Sequence, residues 1–177
     1  MKKLLLGMVA AATLLSAATA SYAQWQDPSA AKPWTISIGG VFHNNDEVAP
    51  GVTVKDGCSL SANYTFGTYP SSEAFVNLQT DFYTVRTPVE SKNAYSVTPH
   101  VGYRYFLDTE KSVYIAPSAG ITYSNCGASG YDKTLTDISA SLALGLKLKD
   151  VRSEIYWNAI PGHNLNDYWG LKVGYRF

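Results

Sequence analysis

The chain has 177 residues with 14 basic and 14 acidic side chains, so its formal net charge is +0. Nucleic-acid binding needs a concentrated basic surface, and this balance gives no reason to expect a nucleic-acid partner. Hydrophobic residues make up 46% of the chain and aromatic residues 13%, yet the mean hydropathy is −0.10. The arrangement of the apolar residues must therefore decide between a soluble and a membrane protein.

The amino-terminal segment has the organisation of a secretory signal peptide. Two lysines precede an apolar run that ends near Leu15, and small residues then lead to "ASYAQ". The run is too short for a membrane-spanning helix, which needs about 20 apolar residues, and we predict cleavage near Ala23. The predicted organisation is a signal peptide (1–23), a lead-in segment (24–33) and one domain (34–177).

Eight segments of this domain alternate between apolar and polar residues, which is typical of strands with two different faces. Each is about as long as a tilted strand needs to cross a bilayer, roughly 9–11 residues. Turn residues separate the segments, and none of them has helical periodicity. The predicted strands are 34–43, 58–66, 74–85, 94–106, 113–124, 137–148, 151–160 and 167–177.

One face of these strands carries no charged residue and has aromatic residues at both of its ends. A soluble sandwich or barrel would turn its apolar face inward, whereas two aromatic girdles around an aliphatic belt favour a transmembrane barrel. The predicted girdles are Trp34, Phe66, Tyr103, Tyr105, Tyr175 and Phe177 at the periplasmic ends, and Phe42, Phe82, Tyr95, Tyr123, Trp157 and Trp169 near the outer ends.

Closure of the sheet follows from its surroundings. An open edge in hydrocarbon would leave backbone groups without partners, at several kcal/mol each, so the first and last strands must pair. The predicted fold class is therefore all-β, an eight-stranded antiparallel up-and-down transmembrane β-barrel. Its predicted outer connections (44–57, 86–93, 125–136 and 161–166) are longer than its periplasmic connections (67–73, 107–112 and 149–150), as expected for such barrels.

The last strand and two internal strands carry motifs of known outer-membrane proteins. The alternating residues of "DYWGLKVGYRF" resemble the β-signal by which such proteins are recognised for assembly. "TPHVGYRYF" and "APSAGITYS" share Pro-x-x-Gly-x-x-Tyr, which is similar to the strands of small OmpA/OmpX-like outer-membrane barrels. The residues that form the predicted assembly signal are Trp169, Leu171, Val173, Tyr175 and Phe177.

This resemblance implies a protein of the Gram-negative cell outer membrane, surrounded by lipid and lipopolysaccharide and inserted by the barrel assembly machinery. It also raises the question of how two prolines fit into paired strands. A simple hairpin about 107–112 would place Pro99 opposite Gly120 and Pro117 opposite Gly102, where a glycine would permit a bulge or tight bend.

The polar face carries ionisable side chains that we expect inside the barrel. An eight-stranded interior is just wide enough to be filled by side chains, which favours a structural network of paired charges. A narrow channel is the alternative. Bases outnumber acids at the periplasmic end, and we expect Asp108 or Glu110 from the nearby turn to contribute. The predicted interior charges are Asp81, His100, Arg104, Lys147, Arg152, Glu154, Lys172 and Arg176.

The two cysteines are Cys58 and Cys126, an even number in an oxidising compartment. Both are predicted to lie near the outer rim, and whether they form a disulfide stays open because geometry decides it. No histidine pairs with them, so we expect neither a zinc site nor a cofactor.

One enzymatic alternative is a lipid A-modifying acyl hydrolase. Barrels of that kind are built around His-x-Ser-Asn near the outer leaflet. Here His163 is followed by Asn164 and Leu165, and "TYSNCG" has no histidine two residues before its Ser124. We therefore predict no catalytic residue, and a non-enzymatic protein with an envelope-structural role or a role in contacting host or other surface ligands through its outer loops.

Overall fold

The computed structural model describes residues 32–43, 47–128, 131–160 and 167–177, with the side chains of 47–49, 126–128, 131–133 and 135 excepted. The predicted signal peptide and most of the lead-in segment lie outside the described residues. The described part of the chain contains no helix that is long and apolar enough to cross a membrane. The described strands are β1 (Trp34–His43), β2 (Glu47–Ala49), β3 (Val52–Thr68), β4 (Ser72–Arg86), β5 (Ser91–Phe106), β6 (Val113–Ala128), β7 (Tyr131–Leu148), β8 (Val151–Ala159) and β9 (Asp167–Arg176).

The sheet closes on itself through β1. This strand pairs antiparallel with β9 on one side and with β3 on the other, while every other long strand pairs with its sequence neighbours. The short β2 only adds to the edge of β3. Eight long strands therefore form a closed antiparallel barrel, as the sequence predicts.

The two ends of the barrel differ. The connections 69–71, 107–112 and 149–150 lie at one end, called here the turn end, and the connection 87–90 lies at the opposite end, called here the loop end. In bacterial outer-membrane barrels the short turns face the periplasm. Strands β3 to β7 have 15 to 18 residues, whereas β8, β9 and β1 have 9 or 10. A tilted crossing needs only about 9–11 residues, so β3 to β7 continue beyond the membrane at the loop end.

This extension corrects two of the predicted outer loops. Much of 44–57 and 125–136 is paired strand, because β3 begins at Val52 and the β6–β7 ladder reaches the pair Ala128 and Tyr131. The polar residues of these segments conceal the strands from a search for apolar faces. Outside the membrane a strand needs no apolar face, since water can surround both of its sides.

The predicted register between β5 and β6 is wrong by one residue. His100 faces Gly120 and Gly102 faces Ser118, and the ladder omits both prolines. The glycines are nevertheless needed there. A Cβ atom on Gly120 would collide with the carbonyl group of Pro99, and one on Gly102 would collide with the carbonyl group of Pro117. Each proline thus lies against a glycine diagonally rather than directly across the strands.

The uncharged face points out of the barrel. Aliphatic residues in its middle are largely exposed, with 69% for Ile38 and 56% for Leu144. The girdle aromatics are half-buried or exposed at both ends, and Trp34, Phe42, Phe82, Trp169 and Phe177 are 46% to 50% exposed. Since a continuous exposed apolar surface of this kind requires an apolar solvent, the orientation agrees with the membrane prediction and contradicts a soluble barrel with inward aromatics.

The interior is packed with side chains. Tyr114 and Tyr156 are almost completely buried, and each lies across from a glycine on the neighbouring strand, Gly145 and Gly170 respectively. A Cβ atom on either glycine would collide with the facing tyrosine ring. Pairing a bulky ring with a glycine lets the two large tyrosines fit inside a narrow barrel.

Candidate functional site

A buried carboxylate at the turn end organises the interior charges. Glu73, on β4, is 2% exposed. Its Oε2 atom accepts hydrogen bonds from Nη2 of Arg152 at 2.7 Å and Nη1 of Arg104 at 3.4 Å. Its Oε1 atom lies 3.6 Å from Nζ of Lys147 and 3.8 Å from Nη1 of Arg176. One acid is therefore surrounded by four bases from four different strands.

A second buried acid extends this group towards the middle of the barrel. Glu154 accepts a hydrogen bond from the Tyr114 hydroxyl at 2.6 Å and pairs with Nζ of Lys172 at 2.9 Å. Nε of Arg104 lies 3.9 Å from the same carboxylate, and its guanidinium carbon lies 4.1 Å from the centre of the Phe75 ring. Arg104 thereby links the two acids, and together these residues form the interior cluster.

The interior cluster contains six of the predicted interior charges, namely Arg104, Lys147, Arg152, Glu154, Lys172 and Arg176. Its central residue, Glu73, was missed because it falls in the predicted turn 67–73. Continuing the inward alternation of β4 back from Phe75 by two residues would have found it, since Phe75, Asn77, Gln79 and Asp81 all point inward.

The expected contribution of Asp108 or Glu110 to the cluster is wrong. Glu110 is exposed, and the Asp108 carboxylate accepts hydrogen bonds from the backbone N–H groups of Ser112 and Val113 at 2.9–3.0 Å. The Val113 bond, helped by Ser112 and opposed by partial desolvation, holds the pKa of Asp108 below its ordinary value of 3.8. Asp108 fixes the turn rather than the interior.

Within the described part of the chain, the two remaining predicted charges share no hydrogen bond or ion pair with the interior cluster, although His100 lines the larger of two cavities beside it. Asp81 is 1% exposed. It accepts hydrogen bonds from the Gln79 amide at 3.1 and 3.0 Å and from the Tyr168 hydroxyl at 2.6 Å. His100 shares a hydrogen bond of 3.1 Å with the Ser139 hydroxyl. The hydrogen-bond partners of both residues are neutral side chains.

Little open space remains between these side chains. Two internal cavities, of about 10 and 20 Å³, adjoin the interior cluster and share Arg104, Glu154 and Lys172 in their walls. A cavity needs about 10–15 Å³ to hold one water molecule, so each has room for about one. Within the described ranges no group of three or more His, Cys, Asp or Glu side chains could hold a metal ion.

The cysteine and histidine predictions have different outcomes. Cys58 is free and exposed, so the disulfide to Cys126 that the sequence left open is not formed in this structure. Its strand, β3, is three strand spacings from β6, or about 14 Å along the sheet, and a disulfide needs Cα atoms within about 7 Å. The segment with His163, Asn164 and Leu165 lies outside the described residues.

The predicted assembly signal lies on the outer face at the seam of the barrel. Its five residues are each about half exposed. Phe177 also closes the seam through its backbone, because its N–H group donates to the Trp34 carbonyl at 2.9 Å and its carbonyl accepts from the Trp34 N–H group at 3.2 Å. Recognition of this strand during assembly stays a prediction.

A closed eight-stranded sheet, an exposed aliphatic belt between aromatic girdles and a filled polar interior define a small outer-membrane β-barrel. The fold of this chain is of that OmpA/OmpX-like kind. It is similar to the Yersinia pestis outer membrane protein Ail in a phospholipid bilayer nanodisc, with 13% identity, a TM-score of 0.54, and 82% of this chain and 99% of that chain covered. The crystal structure of Ail, the attachment invasion locus protein of Yersinia pestis, is similar with 16% identity, a TM-score of 0.53 and the same coverage.

These identities are low enough that the likeness establishes the fold alone. No protein-family model matches the sequence, and no curated protein matches it. Function must therefore be argued from the residues of this chain.

Proposed function

We propose that this chain is a non-enzymatic outer-membrane protein that contacts ligands at the cell surface through the extended strands of its loop end. The observation that supports this proposal is that β3 to β7 are longer than a membrane crossing requires, while the interior of the barrel is filled with side chains. The barrel provides a rigid membrane anchor, and β3 to β7 provide the surface that reaches beyond it.

The filled interior argues against transport as the main role. The buried pairs of Glu73 and Glu154 cross the barrel near the turn end, and the hydrogen-bonded group around Asp81 crosses it nearer the loop end. A solute would have to break both groups to pass, and breaking buried ion pairs is costly. We therefore expect no steady conductance from the folded protein.

The β6–β7 hairpin is the most extended part of the loop end. Tyr123 belongs to the outer girdle, and the ladder continues from the pair Tyr123 and Thr136 to the pair Ala128 and Tyr131. Five further residues along a strand correspond to about 17 Å. A ladder of backbone hydrogen bonds holds this part in place, so less conformational entropy is lost on binding than with a free loop.

The name of Ail, attachment invasion locus protein, describes that protein alone. A surface-contact role for this chain is in keeping with a shared fold, and it rests here on the strand extension rather than on the likeness.

Shortening the hairpin tests the proposal. Residues 125–134 would be replaced by Asn-Gly, which favours a tight two-residue hairpin turn and would keep the pair Ser124 and Leu135. We expect a folded barrel, seen as a heat-shifted band on an unboiled gel, together with loss of the attachment that wild-type expression confers on bacteria presented with cultured cells and immobilised glycans. Leu107→Asn, at the turn end, is the control and should retain attachment.

Attachment that is equal with the empty vector, the wild type and the shortened variant would contradict the surface-contact role. Mass spectra of lipid A from cells with and without the protein test the hydrolase alternative in the same strains. The proposal expects identical spectra, and a loss of acyl mass on expression would replace it with an enzymatic function.

A further inference from the structure

Two guanidinium groups of the interior cluster hold donors that no described group accepts. Nε and Nη1 of Arg152 and Nε of Arg104 are buried without a hydrogen-bond partner, although the two side chains are only 3% and 2% exposed. Buried polar groups are almost always hydrogen-bonded, and charged donors without acceptors are the most unfavourable case. Nε of Arg104 lies 3.9 Å from the Glu154 carboxylate, too far for a hydrogen bond, so the three N–H groups together indicate a missing acceptor.

The charge balance of the same region indicates that the missing acceptor is negative. Five cationic side chains of the interior cluster are arranged around two carboxylates, those of Glu73 and Glu154. The nearby Asp150 pairs with Lys32 at 2.6 Å on the surface. Water could accept from a guanidinium group, but it would leave the excess of positive charge unchanged.

The smaller cavity lies where such an acceptor is needed. It has a volume of about 10 Å³, and the residues that line it include Arg104, Arg152, Thr35, Ser37 and Ser61. The Thr35 hydroxyl is also buried without a partner. Glu154 contributes to the wall, but Lys172 and Tyr114 already pair with its carboxylate. The space has room for one small particle at most, which excludes phosphate, sulfate and organic acids.

We propose that this cavity is a binding site for one small monovalent inorganic anion, with chloride as its physiological ligand. Arg152 and Arg104 supply charged donors, and Thr35 supplies a hydroxyl donor. Lys147 and Arg176 lie at the turn-end mouth, where their side chains are 19% and 11% exposed, so the anion enters from that end. Bound chloride stabilises the folded barrel because it compensates part of the buried positive charge.

Stability at constant ionic strength tests this site in the wild-type protein. The purified barrel in detergent would be unfolded by urea in potassium gluconate, and chloride would then replace gluconate stepwise. Binding to the folded state alone raises the folded-to-unfolded ratio by the factor 1 + [Cl⁻]/Kd, which is about elevenfold at ten times Kd. We expect a saturable rise of this form, with bromide able to replace chloride. No difference between chloride and gluconate would overturn the proposal.

A charge-conserving variant locates the effect. Arg152→Lys keeps a cation beside Glu73 but removes the unpaired Nε and Nη1 donors, so its chloride-dependent rise should be lost or moved to much higher concentrations. Arg86→Lys is the matched control, because Arg86 is an exposed arginine that bonds Ser91 at 3.4 Å, and it should retain the wild-type rise. An Arg152→Lys protein with unchanged chloride dependence would contradict the site.

Anomalous diffraction from wild-type crystals grown in bromide gives a result that does not depend on any variant folding. We expect a bromide peak between Arg152, Arg104 and Thr35. Peaks confined to the protein surface would contradict the proposal and leave the cavity to water.

Discussion

At the residue scale, Glu73 is the position on which the charged interior depends. Four cationic side chains lie within 4 Å of its carboxylate, and burying them is tolerable only while the acid is present. Taking charges out of water is costly, and their mutual attraction repays that cost only when the pairs are complete.

Glu73→Gln should therefore destabilise the barrel strongly. Glutamine keeps the shape but removes the charge, which leaves buried cations uncompensated at a cost of about 3–5 kcal/mol. Urea unfolding in detergent would measure the free energy of unfolding. Asp150→Asn is the control, since its ion pair with Lys32 is largely exposed and such pairs contribute about 0–1 kcal/mol. Equal effects of the two substitutions would show that Glu73 does not hold the interior together.

Leu144 tests the opposite face at the same scale. It lies in the middle of the aliphatic belt on β7 and is 56% exposed. Leu144→Arg should cost roughly 2–4 kcal/mol in lipid, because a cationic side chain at the bilayer midplane is poorly solvated. Unfolding of the barrel in lipid vesicles measures this cost, and wild-type stability would mean that this face does not contact hydrocarbon.

At the scale of elements, the last strand connects closure of the barrel with its predicted recognition. Phe177→Ala should lower the amount of protein assembled in the membrane, because it removes the final aromatic of the predicted assembly signal while its backbone can still pair with Trp34. The heat-shifted band from isolated outer membranes measures assembly. Phe82→Ala removes an equally exposed aromatic from the other girdle (47% against 50%), and a similar loss in both variants would refute a special role for Phe177.

The turn 107–112 provides a prediction about pH. The Asp108 carboxyl has a lowered pKa in the folded protein because the Val113 and Ser112 amides favour its charged form. Its stabilising contribution is thus complete above the pKa of the unfolded chain, about 3.9, and declines as the pH falls through the folded value. The stability difference between wild type and Asp108→Asn should be constant above about pH 5 and shrink below about pH 4. A difference that does not change with pH would contradict the assignment.

Strand extension shows what the sequence could and could not predict about the elements. Apolar alternation located all eight long strands, because the membrane requires an apolar outer face. The alternation could not reveal the strand residues 52–57 or the distal parts of β6 and β7. These parts lie beyond the membrane, where water surrounds the strands and no apolar face is needed. The alternation also hid Glu73, because the strand that carries this residue begins in the polar segment "SSEA".

At the scale of the whole molecule, the sequence could predict that the uncharged face of the strands points outward and the polar face inward, because a barrel has only an inside and an outside. Partners inside the barrel could not be predicted, since pairs such as Glu73 with Arg152 join side chains 79 positions apart. The one-residue error in the β5–β6 register has a different cause, which lies at the turn. Phe106 faces Tyr114 rather than Val113, and the offset is the same on both sides of the prolines.

The central claim, a barrel whose uncharged face contacts lipid and whose polar face is sealed inside, is tested most directly by spin labels along β7 in lipid vesicles. Cys58 and Cys126 would first be replaced by serine, and single cysteines would then carry the label. We predict high accessibility to oxygen, and low accessibility to a water-soluble quencher, at Ile138, Leu142 and Leu144. The accessibility to oxygen and the accessibility to the quencher should both be low at Ser139, Ser141 and Ala143. High oxygen accessibility at Ser139, Ser141 and Ala143 instead would contradict a membrane-spanning barrel. Access of the water-soluble quencher to Ile138, Leu142 and Leu144 would contradict it as well.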